Sequence, residues 1–230
     1  MIARNLISEL LAQPSARPFV RLVVVRTAGS APREAGTAML VTQDTTIGTI
    51  GGGQLEFEAI AHAKRLLATE DAEPIDWLRD LRVWPLGPTL GQCCGGTVQL
   101  LFERYGPKER ESLSTLATST DVAHVSRAML VHPIRSGDPP FAHLLASDTT
   151  PLRQFVPGSV EKKLSGLRTA EPALLQCANN GTGYFVEPMA RSNVPLFIYG
   201  AGHVGQAIVR IASDLEFDIY WVDTHDNRFP

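Results

Sequence analysis

The sequence predicts a mixed α/β protein in two parts, and three observations favour this fold class. Short β-branched runs bounded by turn residues, such as residues 19–25, are typical of buried strands. Three consecutive glycines at 51–53 precede a helix-length segment with one apolar face. A second glycine-rich turn, near residue 200, lies between an apolar strand and an amphipathic segment. We therefore expect a first domain over residues 1–189 and a second over residues 196–230.

Hydrophobic periodicity predicts the elements of the first part in order. The apolar spacing predicts strands over 19–25, 38–41, 47–50, 77–84 and 97–103, and several short strands between 128 and 186. It predicts helices over 1–13, 54–68, 107–119 and, more weakly, 159–167. Prolines and small residues around 188–195 are typical of a linker between the two parts.

The composition excludes several classes of protein. The 230 residues include 44% hydrophobic and 20% charged side chains, enough to build a core, and the net charge of −3 argues against non-specific nucleic-acid binding. No apolar stretch is long enough to span a bilayer, and Glu9 interrupts the apolar run that a signal peptide needs. The three cysteines, including Cys177 in a core-like apolar run, form no even disulfide framework. We expect a soluble, cytoplasmic protein.

The second part carries a complete glycine fingerprint between a strand over 196–199 and a helix over 206–214. Gly200 allows a tight turn, Gly202 lets the backbone approach a phosphate, and Gly205 lets helix and strand pack closely. A second strand over 217–222 ends at Asp223, about 20 residues past Gly202, where a ribose-binding acid is expected. This order predicts the first βαβ unit of a Rossmann-like, doubly wound parallel sheet. Asp223 as a turn residue and His203 as a solvated residue of the first helical turn remain alternatives.

The sequence ends at Pro230, soon after this single predicted βαβ unit. One βαβ unit would leave an unpaired sheet edge with apolar side chains, which favours aggregation. We therefore expect the chain to be truncated at Pro230, with the second domain incomplete.

Three loops of the first part carry residues suited to binding. Ser30 and Arg33 lie in a stiff Gly/Pro loop, where a guanidinium suits phosphate or carboxylate, although an ordinary surface arginine is the alternative. The three glycines Gly51, Gly52 and Gly53 bare the backbone N–H groups at a helix start, where an anion could approach. A tight turn without ligand is the alternative there.

The third loop is the most reactive. Gln92, Cys93 and Cys94 lie between glycines, which would expose the thiols, and an exposed thiolate is a nucleophile and a soft metal ligand. The alternative is that one of the two cysteines packs inward as a small hydrophobic residue.

These segments together resemble the xanthine dehydrogenase accessory protein (XdhC/CoxI) family. The matching stretches are G-S-A-P-R-E-A-G-T-A-M at 29–39, G-T-I-G-G-G-Q-L-E at 48–56, L-G-P-T-L-G-Q-C-C-G-G-T at 86–97, and residues 197–230. The resemblance implies a non-enzymatic chaperone of purine metabolism that binds molybdenum cofactor (molybdopterin), protects it during sulfuration and delivers it to xanthine dehydrogenase. It also implies an N-terminal cofactor-handling domain, a Rossmann-like domain, a homodimer, and contacts with a cysteine desulfurase and the apo-dehydrogenase.

Together, chemistry and resemblance predict the site residues. The cofactor-binding candidates are Ser30, Arg33, Gly51, Gly52, Gly53, Gln92, Cys93, Cys94, Gly200, Gly202, His203, Gly205 and Asp223, with Cys93 and Cys94 as candidate molybdenum or sulfido contacts.

Two other functions compete with this interpretation. The glycine fingerprint is also typical of an NAD(P)-dependent oxidoreductase, although no acid–base pair lies near it in the sequence. His225 stands where the family often has an arginine, which weakens a phosphate contact and so places dinucleotide binding in doubt. A scaffold that binds only protein partners is the third possibility.

Overall fold

A computed structural model describes the fold in two compact units, residues 2–190 and residues 191–230. The residues that it describes are 17–68, 76–87, 95–112, 128–144, 160, 163, 171–176, 183–188, 194–213, 215, 217–225 and 228–229. Within these residues, no helix has the length and apolar character needed to cross a membrane.

A five-stranded antiparallel sheet forms the centre of the first unit. Its strands, in the spatial order β3-β2-β1-β5-β4, are β1 (Phe19–Ala28), β2 (Ala38–Val41), β3 (Thr46–Gly48), β4 (Arg79–Pro85) and β5 (Thr97–Tyr105). The longest partnership joins β1 to β5 and shifts register between Val24 and Arg26, which marks a β-bulge. Side chains of β1 and β5 are buried on both faces of the sheet, in two separate clusters.

Helix α1 (Gly53–Ala68) covers one face of this sheet. Its buried positions Leu55, Ala59, Ala63 and Leu67 recur every four residues, so they form one stripe along the helix. The stripe packs on the β1 residues Val20, Leu22 and Val24, with Leu100 and Phe102 of β5 in the same cluster. Burial of this apolar stripe holds the helix and the turn before it against the sheet.

A second antiparallel sheet covers the opposite face. Its order is β7-β6-β9-β8, with β6 (Ala128–Pro133), β7 (Phe141–Leu144), β8 (Ala173–Gln176) and β9 (Gly183–Pro188). Phe185 of β9 and Leu174 of β8 join Phe19, Val23 and Leu101 of the first sheet in one buried cluster. The first unit is therefore layered as helix, sheet and sheet.

The second unit contains a single βαβ element. Strands β10 (Val194–Tyr199) and β11 (Phe217–Val222) pair in parallel, joined by helix α2 (His203–Ala212). The Phe197 and Tyr220 rings stack 4.8 Å apart on a sheet face that leaves both side chains exposed.

The predicted fold class is confirmed in its coarse form, a mixed α/β protein. The predicted doubly wound parallel sheet is not seen among the described residues, where parallel pairing is limited to β10 and β11 and both larger sheets are antiparallel. The strands and helices predicted around 19–25, 38–41, 97–103 and 54–68 are confirmed with bounds moved by up to three residues. The predicted helix over 1–13 lies outside the described residues, and residues 107–112 are the described portion of the helix predicted over 107–119.

Candidate functional site

The loop that contains Ser30 and Arg33 lies against the glycines that follow the two cysteines in the sequence. A Cβ atom placed on Gly96 would be 2.6 Å from the carbonyl oxygen of Ala28 and would also collide with the carbonyl of Ser30. A Cβ on Gly29 would be 3.2 Å from the Cα atom of Gly96. The two backbones therefore approach closely, and Gly96 is required for the approach.

The same loop also lies against the three-glycine turn. A Cβ on Gly51 would be 2.8 Å from Cβ of Pro32 and 3.4 Å from Cγ of Arg33. The structure thus brings together segments of three predicted binding motifs, which are far apart in the sequence. We call residues 29–33, 48–53 and 95–96 the three-loop site.

The turn at 48–53 uses its glycines for backbone conformation. Gly48, Gly51, Gly52 and Gly53 all have positive φ, between 68° and 123°. Residues other than glycine rarely adopt positive φ, so the backbone path of the turn by itself requires all four glycines. The run of glycines is therefore no evidence of a ligand beyond what the turn already needs.

The backbone N–H groups of this turn are largely engaged by the protein itself. Glu56, in the first turns of α1, accepts hydrogen bonds at Oε2 from Ile50 N (2.9 Å), Gly52 N (3.0 Å) and the Thr49 hydroxyl (2.6 Å). Gly51 N donates to Thr49 Oγ1 at 3.0 Å. Partial burial alone would raise the pKa of Glu56, but these hydrogen bonds outweigh it and lower the pKa below its ordinary value. Sequence analysis missed this role, although a glutamate just after a glycine turn is a recognisable capping signal.

Ser30 and Arg33 are exposed on the surface of the three-loop site. Among the described residues, no hydrogen bond or ion pair engages the guanidinium of Arg33. A guanidinium without a carboxylate partner, beside close-packed glycine loops, suits a phosphate or carboxylate of a ligand. The candidates Gln92, Cys93 and Cys94 lie outside the described residues, and the described chain resumes at Gly95, directly after Cys94.

The glycine turn of the second unit has the geometry that its spacing predicts. Gly200 has φ of +106°, and a Cβ on Gly205 would collide with the Gly200 carbonyl oxygen. Gly202, by contrast, has open space around its Cβ position. The first and third glycines are thus needed for the turn and the close packing, while the second leaves the backbone accessible.

Asp223 uses its carboxylate to hold this turn. Its Oδ2 accepts a hydrogen bond from Ala201 N at 2.6 Å, and its Oδ1 accepts one from His225 N at 3.0 Å. These backbone hydrogen bonds, above all that from Ala201, lower the pKa of Asp223. The side chain is 3% exposed, which leaves little of it for a ribose hydroxyl, whereas His203 at the start of α2 is exposed.

A buried charged cluster, which sequence analysis missed, joins the two sheets of the first unit. Arg21 of β1 donates from Nη1 to Glu103 of β5 at 2.7 Å and from Nη2 to Glu187 of β9 at 2.7 and 2.8 Å. Arg79 of β4 lies with Nε 3.0 Å from the same Glu103. Arginine within the apolar run of β1 was the available signal, because a buried arginine requires carboxylate partners.

His132 of β6 completes this cluster as an imidazolium. Its Nδ1 lies 2.8 Å from Oε1 of Glu103, and its Nε2 lies 2.9 Å from Oε1 of Glu187. A neutral imidazole has one N–H, so it can donate to both ionised carboxylates only when doubly protonated. Burial alone would lower the pKa of His132, but the two carboxylates outweigh it and raise the pKa. The cluster thus stabilises the sheet packing, and it has no open coordination position or nucleophile.

Within the part of the chain that the structure describes, no group of three or more histidine, cysteine, aspartate or glutamate residues is arranged to hold a metal ion. The predicted contacts Cys93 and Cys94 lie outside that part of the chain.

A segment of the first unit is similar to a known protein family. The profile described as the XdhC and CoxI family matches residues 12–77, a range that contains the loops at 29–33 and 48–53. The similarity to this family is limited to the matched segment, which is less than a third of the chain. The resemblance predicted from the sequence is confirmed over this segment.

A solved structure has a similar fold. The crystal structure of a xanthine dehydrogenase from Bacillus halodurans superposes with a TM-score of 0.65 at 19% identity. The match covers 99% of this chain and 64% of that chain, so the present sequence spans about two thirds of its length. None of the curated proteins matches this sequence significantly.

Proposed function

We propose that this chain is a member of the XdhC and CoxI family and acts in the maturation of xanthine dehydrogenase, as a non-catalytic factor that binds molybdenum cofactor and delivers it. The observation that carries the proposal is the close approach of the three loops, one of which carries the exposed Arg33. The family match at residues 12–77 includes two of these loops. The proposal entails the apo-dehydrogenase and a cysteine desulfurase as partners.

The residues of the three-loop site fit the acidic end of this cofactor. Molybdopterin carries a phosphate, and the molybdenum it holds by two sulfur atoms supplies the redox centre of the client enzyme. Arg33 offers up to two parallel N–H donors to the phosphate, and the nearby Ser30 hydroxyl offers another. Such charge-assisted hydrogen bonds are each worth about 1.5–3 kcal/mol.

The two cysteines are adjacent in sequence to a part of the three-loop site. Cys94 is bonded to Gly95, and Gly96 contacts the loop that carries Ser30 and Arg33. Thiolates are soft ligands, suited to contact with molybdenum or its sulfido group. In this proposal, Cys93 and Cys94 shield the metal–sulfur end while Arg33 holds the phosphate.

Molybdenum content tests this function directly. The full chain is expressed in cells that make the cofactor, and the metal per chain is measured after size exclusion. We expect molybdenum to co-purify with the wild type and with Cys177→Ala, and to be lost from the double variant Cys93→Ala/Cys94→Ala. A wild-type chain without molybdenum would overturn the proposal, and equal molybdenum in the double variant would overturn the role of the two cysteines.

The oxidoreductase alternative has less support in the second unit. Asp223 already accepts hydrogen bonds at both carboxylate oxygens, from Ala201 N of the glycine turn and from His225 N, and its side chain is 3% exposed. Titration with NAD(H), followed by nicotinamide fluorescence and by turnover, separates the two functions. The maturation proposal predicts no turnover, and hydride transfer to a substrate would favour the alternative.

A further inference from the structure

Glu56 occupies the position in the glycine turn where an external anion would bind. Its single oxygen Oε2 receives two backbone N–H groups, from Ile50 and Gly52, and the hydroxyl of Thr49. These donors lie at the start of α1, where the helix dipole also favours negative charge. The carboxylate thus uses the groups that a bound phosphate would need.

The charge of Glu56 opposes any second anion at the same place. Its lowered pKa keeps the carboxylate ionised at neutral pH. A phosphate placed on Ile50 N and Gly52 N would have to displace the carboxylate or lie against it, and like charges at that distance repel. Glu58, two residues along the same helix, lacks this role, because its carboxylate pairs with Gln54 at 3.0 Å on the surface.

Glu56 also determines where the turn lies relative to Arg33. The hydrogen bonds from Ile50 and Gly52 enclose Gly51, whose Cα hydrogens face Pro32 so closely that a Cβ would be 2.8 Å from the proline ring. The position of the turn therefore supports the loop in which Pro32 precedes Arg33.

We propose that Glu56 is a specificity-determining and positioning residue: it fills the anion position of the glycine turn and so directs the anionic group of a ligand to Arg33. This inference rests on the proposed function for the identity of the ligand. The repulsion of phosphate from the turn, however, is a property of the chain alone.

Inorganic phosphate is the probe that tests this inference, at pH 7 and without molybdenum. Backbone amide shifts are followed by NMR in the full wild-type chain, in Glu56→Gln and in the matched control Glu58→Gln. Both variants remove one negative charge from α1, but only the first removes it from the turn.

In the wild type and in Glu58→Gln, phosphate is expected to shift the backbone amides of Arg33 and of its neighbours Ala31 and Glu34, and to leave the amides of Ile50 and Gly52 unchanged. In Glu56→Gln, those two amides should respond, with an apparent phosphate Kd at least about tenfold lower than in the wild type. Phosphate shifts at Ile50 and Gly52 of equal strength in the wild type would overturn the inference. That result needs no variant, so it holds even if Glu56→Gln fails to fold.

The failure of this inference is distinct from failure of the proposed function. If molybdenum co-purifies but phosphate binds the wild-type turn, only the role of Glu56 is overturned. If phosphate behaves as expected but molybdenum does not co-purify, only the cofactor function is overturned.

Discussion

Two groups of charged residues in the first unit differ in what surrounds their arginines. Arg21 is fully buried between the sheets and meets the carboxylates of Glu103 and Glu187. Arg33 is exposed on the three-loop site, and no described carboxylate pairs with it. The difference separates charges that are paired within the fold from a charge that is exposed on the surface, where a ligand could reach it. Glu56 resembles the buried cluster, because its charge is engaged by hydrogen bonds within the fold, although it lies beside the three-loop site.

Removal of Arg21 should produce the largest effect on the free energy of unfolding. Arg21→Met removes one of the two cations that the buried carboxylates of Glu103 and Glu187 share, the other being His132. Breaking a buried ion pair in this way typically costs about 3–5 kcal/mol. Urea denaturation measures the loss, with Arg17→Ala as the control, because the Arg17–Asp44 pair is exposed and should contribute about 1 kcal/mol or less. A loss of similar size in both variants would erase the distinction between the two groups.

The close approach of the loops at the three-loop site gives a matched pair of glycine variants. Gly96→Ala places a Cβ against the carbonyls of Ala28 and Ser30, whereas Gly95→Ala meets no atom within 4 Å. We expect Gly96→Ala to destabilise the chain by about 1–3 kcal/mol and to reduce molybdenum retention, and Gly95→Ala to change both little. Thermal unfolding and metal analysis of the two variants provide the check. Equal retention in both would show that the contact between these loops is not needed for binding.

The titration of His132 should change the free energy of unfolding by a smaller amount, and this change is specific to the buried cluster. Because its pKa is raised on folding, the stabilisation is fully present below about pH 6.5, the ordinary value, and is lost as the pH rises through the folded pKa. One proton gives a slope of at most about 1.4 kcal/mol per pH unit.

Urea denaturation between pH 6 and pH 9 measures this slope, and the difference from His132→Gln isolates it from other groups. The opposite sign, stability rising with pH in the wild type relative to His132→Gln, is incompatible with an imidazolium at this position.

The same contrast explains what could be predicted from the sequence. Strand β1, helix α1 and the βαβ unit follow from local patterns, and the glycine turns follow from residue type. The charged cluster joins residues up to 166 positions apart, so it depends on the packing of the two sheets, which periodicity does not specify. The antiparallel architecture was missed for the same reason. Glu56 lies near the start of a predicted helix, but its hydrogen bonds depend on the path of the turn and so could not be predicted.

The central claim, that the three-loop site holds the phosphate of molybdenum cofactor through Arg33, is tested most directly by Arg33→Gln. Molybdenum per chain is measured after purification from cofactor-competent cells, beside Arg135→Gln, which removes another exposed arginine of the first unit. Loss of a charge-assisted contact worth about 1.5–3 kcal/mol predicts that affinity falls by roughly 10- to 100-fold in Arg33→Gln, while Arg135→Gln retains molybdenum like the wild type. Equal molybdenum in Arg33→Gln and the wild type would contradict the claim.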